Sequence, residues 1–282
     1  MLASIVYIAT RFVVGGVVGL TGIGGGSLLT PILVFAFGQP PAVAVGTDLA
    51  FAATTRLVAS GMLGQAHRVD WKIVRYLLVG SIPAALTVLI GLWLAPRYAQ
   101  LSDRVLVRSL AASLVATAAA VLCQSQLRRL GLRATAGALA RSERLRPWLT
   151  VLAGLVVGIS VTLTSVGAGA VASALLVGVY PLRLSGERLV ATDIAFALPL
   201  TLVAAGGHAA LGHLDLAVLG RLLLGAVPSA LLVRWIGWRI PQPVFRPALA
   251  ILLVGCAARM LPPEARVPGP PGLSHRAGHI HA

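Results

Sequence analysis

Long apolar stretches separated by short polar turns occupy most of the chain. Stretches of about 20 residues are long enough to cross the ~30 Å of bilayer hydrocarbon as α-helices. They are continuously apolar, which disfavours the alternating pattern of transmembrane β-strands. The predicted fold class is therefore all-α, a polytopic helical membrane protein. We predict five helical elements per half: residues 4–20, 22–37, 42–64, 73–95 and 104–124, then 149–163, 165–180, 187–211, 215–237 and 244–261.

Composition and charge agree with a membrane protein. Of the 282 residues, 57% are hydrophobic and 11% are charged, whereas soluble domains have about 25% charged residues. The net charge of +15 does not indicate nucleic-acid binding, because nearly all the cations are arginines near the ends of apolar stretches. The positive-inside rule and anionic lipids account for them there. Cys123 and Cys256 lie inside apolar stretches and are interpreted as small, inert hydrophobic residues.

The two halves of the chain are copies of one unit. A shift of 145 positions places VGTDLAFAATTRLVASG (45–61) on VATDIAFALPLTLVAAG (190–206), with ten of 17 positions identical. A shift of 143 pairs the segments 21–27 and 164–170. Four regions are predicted: a first membrane repeat (1–126), a basic cytoplasmic connector (127–147), a second membrane repeat (148–262) and a disordered tail containing proline and histidine (263–282).

The charges of the turns predict that the two repeats cross the membrane in opposite directions. The connector carries six arginines and one glutamate, so we expect it in the cytoplasm. Counting helices outward from it puts the basic turn near 65–75 inside. Its repeat mate near 211–216 falls outside and has no lysine or arginine. The uncharged turn near 38–42 and its basic mate near 181–188 are likewise placed outside and inside, as inverted-topology repeats require.

Both repeats contain a segment of small residues inside a predicted membrane element. Glycine weakens a helix by roughly 1 kcal/mol relative to alanine, and non-helical backbone persists in a membrane only where it is buried in protein or lines a polar cavity. We predict broken or re-entrant helices at the centre, whose free N–H groups bind a small anion. The alternative is that the small residues only permit close helix packing. The predicted substrate-binding residues here are Thr21, Gly22, Gly24, Gly25, Gly26, Ser27, Thr164, Ser165, Gly167 and Gly169.

Three ionisable residues lie where the pattern predicts membrane interior. Asp48 and Asp193 are repeat mates, and a charge at membrane depth costs ~3 kcal/mol or more unless it faces a polar cavity. We predict that both take up protons and couple anion movement to the proton gradient; the alternative is that they cap helices near the interface. Arg56, whose repeat mate is Thr201, is predicted to bind the anion or to neutralise Asp48. Its alternative is to snorkel to the surface.

The histidines do not predict a metal site. His208 is interpreted as a neutral side chain packed within a helix. The tail histidines His275, His279 and His281 have proline-rich flanks and no cysteine or carboxylate beside them, which indicates a disordered tail. Transition-metal efflux assisted by this tail stays open as an alternative. No cofactor is predicted.

Three motifs carry a resemblance to a known family. Residues 19–33 read G-x-x-G-x-G-G-G-S-L-x-x-P-x-L, Val-Gly-Thr-Asp-Leu follows at 45–49, and a short basic turn ends in Val-Asp-Trp at 69–71. On these residues, the chain resembles the TauE/SafE family of sulfite and organosulfonate exporters over most of its length. The resemblance implies a bacterial-type inner-membrane permease of duplicated architecture that handles small sulfur-containing or related anions. The chain departs from the family in Thr-Asp-Leu, where many members have Thr-Ser-Leu, and in its eroded second glycine-rich segment.

Together these features predict a secondary transporter, an exporter of small sulfur-containing or related organic anions that works by alternating access and is coupled to protons. A passive anion channel or facilitator of the same fold is the main alternative. An integral-membrane enzyme is disfavoured, because the sequence has no H-E-x-x-H or G-x-S-x-G motif. The predicted partners are the anion, protons and the lipid of the inner (plasma) membrane, crossed several times; a homodimer is left open.

Overall fold

The computed structural model describes residues 29–35, 37–63, 68–94, 111–120, 139–180, 183–184 and 186–236, and the positions 108, 123, 126, 251, 254, 255 and 258. The helices are α1 (Leu29–Phe35), α2 (Pro41–Leu63), α3 (Trp71–Leu94), α4 (Leu139–Thr164), α5 (Ala170–Val179), α6 (Gly186–Ala210) and α7 (Leu216–Ile236). A further short apolar helix, Ala111–Ala120, lies between α3 and α4. The first predicted interruption (21–27) and the tail (263–282) lie outside the described residues.

The regular elements of the described residues are helices and none is a strand, which confirms the predicted all-α class. Helices α2, α3, α6 and α7 begin and end within two residues of the predicted bounds. Helix α4 differs, because it begins at Leu139 rather than near position 149. Residues 139–147 are mostly leucine, alanine, arginine and glutamate, which favour helix but are too polar to resemble a membrane segment. Part of the predicted connector is therefore helical.

The distribution of apolar side chains is that of a protein surrounded by lipid. Three described helices are long and apolar enough to cross a membrane: α3, the Leu145–Thr164 part of α4, and α6. On α3, large apolar side chains are exposed, including Val79 (63%) and Trp93 (67%). Many polar side chains are buried instead, as expected where the surrounding solvent is hydrocarbon.

Helices α3 and α4 approach each other at glycines. Gly80 of α3 faces the carbonyl oxygen of Val151, and Gly154 of α4 faces the backbone of Leu77. A Cβ atom at either glycine would overlap that backbone. Small residues allow membrane helices to pack closely, and here they join a helix of the first repeat to one of the second.

Two hydrogen bonds related by the 145-residue shift connect the halves. The Asp215 N–H donates to Thr47 Oγ1 over 3.1 Å, and the Asp70 N–H donates to Thr192 Oγ1, also over 3.1 Å. The two threonines are repeat mates, and so are the two aspartates. A two-fold rotation that exchanges α2–α3 with α6–α7 produces such a reciprocal pair of contacts. Helices α2 and α6 also pack against each other.

Candidate functional site

The interruption in the second repeat separates α4 from α5. Helix α4 ends at Thr164 and α5 begins at Ala170. Between them, Ser165 has φ +59° and Gly167 has φ +108°, so the chain turns through the left-handed region. A serine held there costs of order 1–3 kcal/mol, which the surrounding packing must offset. The Thr164 hydroxyl is occupied within the turn, because it donates to Ser160 O (2.6 Å) and accepts from the Val166 N–H (3.2 Å).

The N-terminus of α5 has no side-chain cap. Gly169 is the N-cap residue and makes no side-chain hydrogen bond to the first turn. The first backbone N–H groups of any α-helix have no intrahelical partner. In α5 one of them, that of Ala172, donates to Gly167 O over 3.1 Å, and the helix dipole adds a partial positive charge at this end. Such an end is suited to an anionic group, although it is not sufficient by itself to define a site.

Asp48 lies about two turns inside α2 rather than at its start, so the helix-capping alternative is wrong. Helix α2 begins at Pro41, and Asp48 is 0% exposed. Thr30 of α1 donates twice to Asp48 Oδ2, from its backbone N–H (3.1 Å) and from its hydroxyl (2.5 Å). Asp48 Oδ1 has no hydrogen-bond partner. The Ser165 hydroxyl interacts with the same carboxyl group, yet Ser165 Oγ also lacks a hydrogen-bond partner.

Asp193 repeats this arrangement in the second half. It lies within α6, which begins at Gly186, so capping is excluded here as well. The Ser173 side chain on α5 interacts with its carboxyl group, and Asp193 Oδ1 has no hydrogen-bond partner. The sequence reasoning missed Thr30 and Ser173. Extending the 143-residue shift beyond residue 27 pairs these two hydroxyl residues, and this signal would have found them.

Arg56 is the cation that both carboxyl groups attract. It is only 6% exposed, so the snorkelling alternative is wrong. Arg56 is attracted electrostatically by Asp193 and by Asp48, while its Nη1 atom has no hydrogen-bond partner. None of the ion pairs within 4.0 Å that join described residues includes it. The guanidinium is thus attracted to both acids without being bound directly by either.

These residues form one chain of interactions across the two repeats. Ser165 faces Asp48, both acids face Arg56, and Ser173 faces Asp193. Buried polar atoms in native proteins are nearly always hydrogen-bonded, so several unpartnered atoms in one cluster indicate a place for a ligand or for protons. The atoms without partners are Asp48 Oδ1, Arg56 Nη1, Ser165 Oγ and Asp193 Oδ1.

The aspartates in the turns that precede α3 and α7 have different partners, charged arginines at the first and a neutral glutamine at the second. Asp70 binds Arg183 through Nε (2.5 Å) and Nη2 (3.0 Å), and Arg188 approaches the same carboxylate to 3.5 Å. Its repeat mate Asp215 accepts a hydrogen bond from the neutral Gln39 amide (3.1 Å). Arginine therefore reinforces the connection between the halves at one of two symmetry-related places.

Other sequence candidates are placed apart from this cluster or beyond the described residues. His208 is fully buried. Its Nε2 atom lies 2.9 Å from Thr162 O, and its ring centre lies 5.6 Å from that of His213. This is the environment expected of a packed, neutral histidine. No group of three or more metal-ligating side chains occurs within the described part of the chain. The predicted binding residues that lie outside the described ranges are Thr21, Gly22, Gly24, Gly25, Gly26 and Ser27.

Comparison with known proteins places the chain among membrane transporters. Residues 7–260 match the family model described as sulfite exporter TauE/SafE. The chain is 34% identical over 252 residues to the probable membrane transporter protein YjnA of Bacillus subtilis (strain 168), covering 89% of this chain and 97% of that protein. It is 35% identical over 74 residues to a probable membrane transporter protein of Xylella fastidiosa (strain 9a5c), covering 26% of this chain and 28% of that protein. No solved structure matches.

Proposed function

Because the chain belongs to the TauE/SafE sulfite exporter family, we propose that this membrane transporter exports small sulfur-containing or related organic anions across the inner membrane. The observation that carries the proposal is Arg56. A buried arginine with an unpartnered guanidinium nitrogen is costly unless something negative joins it. Sulfite and sulfonate oxygens are suited to the planar guanidinium, which donates in a fixed fork geometry.

The anion is received by donors from both sides of the cluster. Arg56 supplies charge, the Ser165 hydroxyl is unpartnered, and the uncapped α5 offers backbone N–H groups. Gly167 has φ +108° and Gly169 precedes α5, so neither places a side chain over these amides.

Protons are exchanged at the two carboxyl groups of the cluster. With both acids ionised, Asp48, Asp193 and Arg56 together carry one net negative charge, which would repel an anion. Protonation of an acid removes that repulsion, so anion binding and proton binding favour each other. This linkage is the physical basis of coupling to the proton gradient.

The two halves rock about the central site and present it to one side of the membrane at a time. The approximate two-fold arrangement of α2–α3 and α6–α7 supports this motion. When two equivalent halves exchange their conformations, the site faces the other side of the membrane. The contacts between the halves are then of the same kind as before.

Transport in proteoliposomes tests the proposal. Purified protein is assayed for counterflow of sulfite, methanesulfonate and acetate, comparing the wild type with Arg56→Gln. Arg75→Gln, an exposed arginine on α3, serves as the matched control. We expect saturable exchange of the sulfur anions, with a half-saturation concentration raised roughly 10- to 100-fold in Arg56→Gln alone.

Three outcomes contradict parts of the proposal. Absence of exchange for every anion in the wild type refutes the transport function. Equal half-saturation in the wild type and Arg56→Gln removes Arg56 from the site. Fluxes that never run against an anion gradient, even with a pH gradient imposed, identify a passive facilitator instead of a coupled transporter.

A further inference from the structure

The two halves of the chain are bonded to each other at both ends of α6 (Gly186–Ala210), a helix long and apolar enough to cross the membrane. Near the start of α6, Asp70 of the first half binds Arg183 of the second. Beyond its end, the Asp215 N–H of the second half donates to Thr47 Oγ1 of the first. A helix of 25 residues is about 36 Å long at 1.5 Å per residue. The two contacts therefore lie on opposite sides of the membrane.

The contact at Asp70 is the inner contact, because arginines in short turns mark the cytoplasmic side of a membrane protein. Arg183 donates to both Asp70 oxygens, over 2.5 and 3.0 Å. Arg188 approaches the same carboxylate to 3.5 Å, and Arg68 pairs with Glu187. Each of these ion pairs joins one half of the chain to the other. The Asp70 side chain is 3% exposed and the two arginines beside it are about half-exposed.

The contact at Asp215, the outer contact, is made with neutral groups. The Asp215 carboxylate accepts from the Gln39 amide over 3.1 Å and from the Val218 N–H over 2.9 Å. The sequence has no lysine or arginine at positions 36–55 or 205–220, so neither segment can supply the arginines that the inner contact has. The halves are thus joined by ion pairs on one side of the membrane and by hydrogen bonds to neutral groups on the other.

The cluster of unpartnered polar atoms is connected to both contacts. Asp48 directly follows Thr47 of the outer contact. Asp193 directly follows Thr192, whose hydroxyl accepts from the Asp70 N–H in the inner contact over 3.1 Å. Each carboxyl group of the cluster is therefore one residue away from a bond that joins the halves. Separating the halves at one contact would open the cluster to that side of the membrane.

We propose that the inner contact holds the cluster closed to the cytoplasm in the anion-free protein, while the outer contact opens more readily. This inference rests on the alternating-access motion of the proposed function and specifies which side opens first. Opening the inner contact breaks a bidentate guanidinium–carboxylate bond, which is among the strong kinds of hydrogen bond, and also separates the other two ion pairs. Opening the outer contact breaks a bond between a carboxylate and a neutral amide. Each side loses one bond from an aspartate N–H to a threonine, and these two losses cancel.

Labelling of a cysteine in the cluster tests which side opens. In a background without Cys123 and Cys256, Ser165→Cys is treated with a membrane-impermeant thiol reagent in right-side-out and in inside-out membrane vesicles. Without anion, labelling is expected to be faster from the outside than from the cytoplasmic side. Ser173→Cys on α5 repeats the measurement at a second position of the cluster.

Substitution of the inner contact is expected to change access from one side alone. Asp70→Asn removes the charge that binds the arginines, so the labelling rate from the cytoplasmic side is expected to rise roughly 5- to 30-fold. The rate from the outside is not expected to rise. Arg183→Gln is expected to raise the same rate and to add little to Asp70→Asn, because the two residues act through one contact. Asp215→Asn, the matched control at the other end of α6, is expected to leave the cytoplasmic rate at the wild-type value.

Salt tests the inner contact without any substitution in it. Sodium gluconate screens exposed charges, so the labelling rate from the cytoplasmic side is expected to rise with its concentration when Asp70 is present. In Asp70→Asn the rate is expected to be independent of salt. A cytoplasmic rate that does not respond to salt in either protein would contradict an ionic contact that controls access.

Any of three further results overturns the inference. The first is an equal cytoplasmic labelling rate with and without Asp70→Asn. The second is an equal rise from both sides in Asp70→Asn, which would mean that the substitution loosens the whole protein. The third is faster labelling from the cytoplasm than from the outside in the anion-free protein with Asp70 intact. These measurements need no transported anion, so absence of counterflow in the wild type, which refutes the transport function, is a separate result.

Discussion

Ser165 combines a strained backbone with a functional hydroxyl, and substitution separates the two. Its φ of +59° is a conformation that glycine adopts without steric cost and other residues avoid. Its buried hydroxyl interacts with the Asp48 carboxyl group but makes no hydrogen bond of normal geometry. A serine rather than a glycine at this position therefore indicates that the hydroxyl contributes to function and offsets the backbone strain.

The free energy of unfolding of Ser165→Gly is expected to exceed that of Ser165→Ala by about 1 kcal/mol. Ser165→Gly is therefore expected to unfold at the higher temperature. Both variants lack the hydroxyl, so both are expected to bind the anion more weakly than the wild type by a similar factor. Thermal unfolding of the detergent-solubilised proteins gives the first quantity, and counterflow gives the second. Equal stability of the two variants would contradict the left-handed conformation.

The residues of the cluster show what sequence patterns could and could not supply. Asp48 and Asp193 stand out because a carboxyl group is rare in an apolar stretch and because the repeat duplicates it. The partners Thr30 and Ser173 do not stand out, since hydroxyl residues are common in membrane helices. The electrostatic contact between Arg56 of α2 and Asp193 of α6 depends on how the helices pack, which no local pattern contains.

At the scale of elements, hydropathy predicts the bounds of α2, α3, α6 and α7 closely, because polar turns end their apolar stretches abruptly. It fails for the start of α4, where helix propensity rather than hydropathy determines the conformation of residues 139–147. It also gives no sign that Arg183 binds Asp70, 113 positions earlier in the chain. Contacts of this kind are set by how the elements pack.

The contrast between Asp70 and Asp215 leads to a prediction about the two turns. Asp70→Asn removes the charge that binds Arg183 and Arg188, and since these arginines are half-exposed we expect a loss of about 1–2 kcal/mol in unfolding free energy. Asp215 Oδ1 accepts from the Val218 N–H (2.9 Å) and so caps α7. Asp215→Asn retains a side chain able to accept this bond and to contact Gln39, so its loss is expected to stay under ~1 kcal/mol.

Salt distinguishes the two losses. The deficit of Asp70→Asn relative to the wild type is expected to shrink as the salt concentration rises, because screening weakens the wild-type ion pairs. The deficit of Asp215→Asn is expected to be independent of salt. If Asp70→Asn and Asp215→Asn lose the same unfolding free energy, and neither loss depends on salt, the arginines do not stabilise this contact.

At the scale of the whole molecule, the positions of the helices follow the duplication found in the sequence. Helices α2 and α6 begin at Pro41 and Gly186, and α3 and α7 begin at Trp71 and Leu216, so both pairs are 145 positions apart. With the reciprocal hydrogen bonds of Thr47 and Thr192, this spacing supports two units related by a two-fold axis. An axis lying in the membrane plane would give the units opposite orientations.

Cysteine accessibility tests that orientation at matched positions. Lys72 and Ala217 are repeat mates at the starts of α3 and α7, and both are exposed. In a background without Cys123 and Cys256, Lys72→Cys is expected to react with a membrane-impermeant thiol reagent only from the cytoplasmic side. Ala217→Cys is expected to react only from the outside. Labelling of both from the same side would rule out inverted repeats.

The central claim is that a buried arginine, balanced by two carboxyl groups from related helices, binds a small anion. The most direct test is calorimetric titration of purified protein with methanesulfonate, comparing the wild type, Arg56→Gln and the exposed control Arg75→Gln. The account predicts saturable binding to the wild type and to Arg75→Gln, with affinity at least ~10-fold lower in Arg56→Gln. Equal affinity in all three proteins would contradict it.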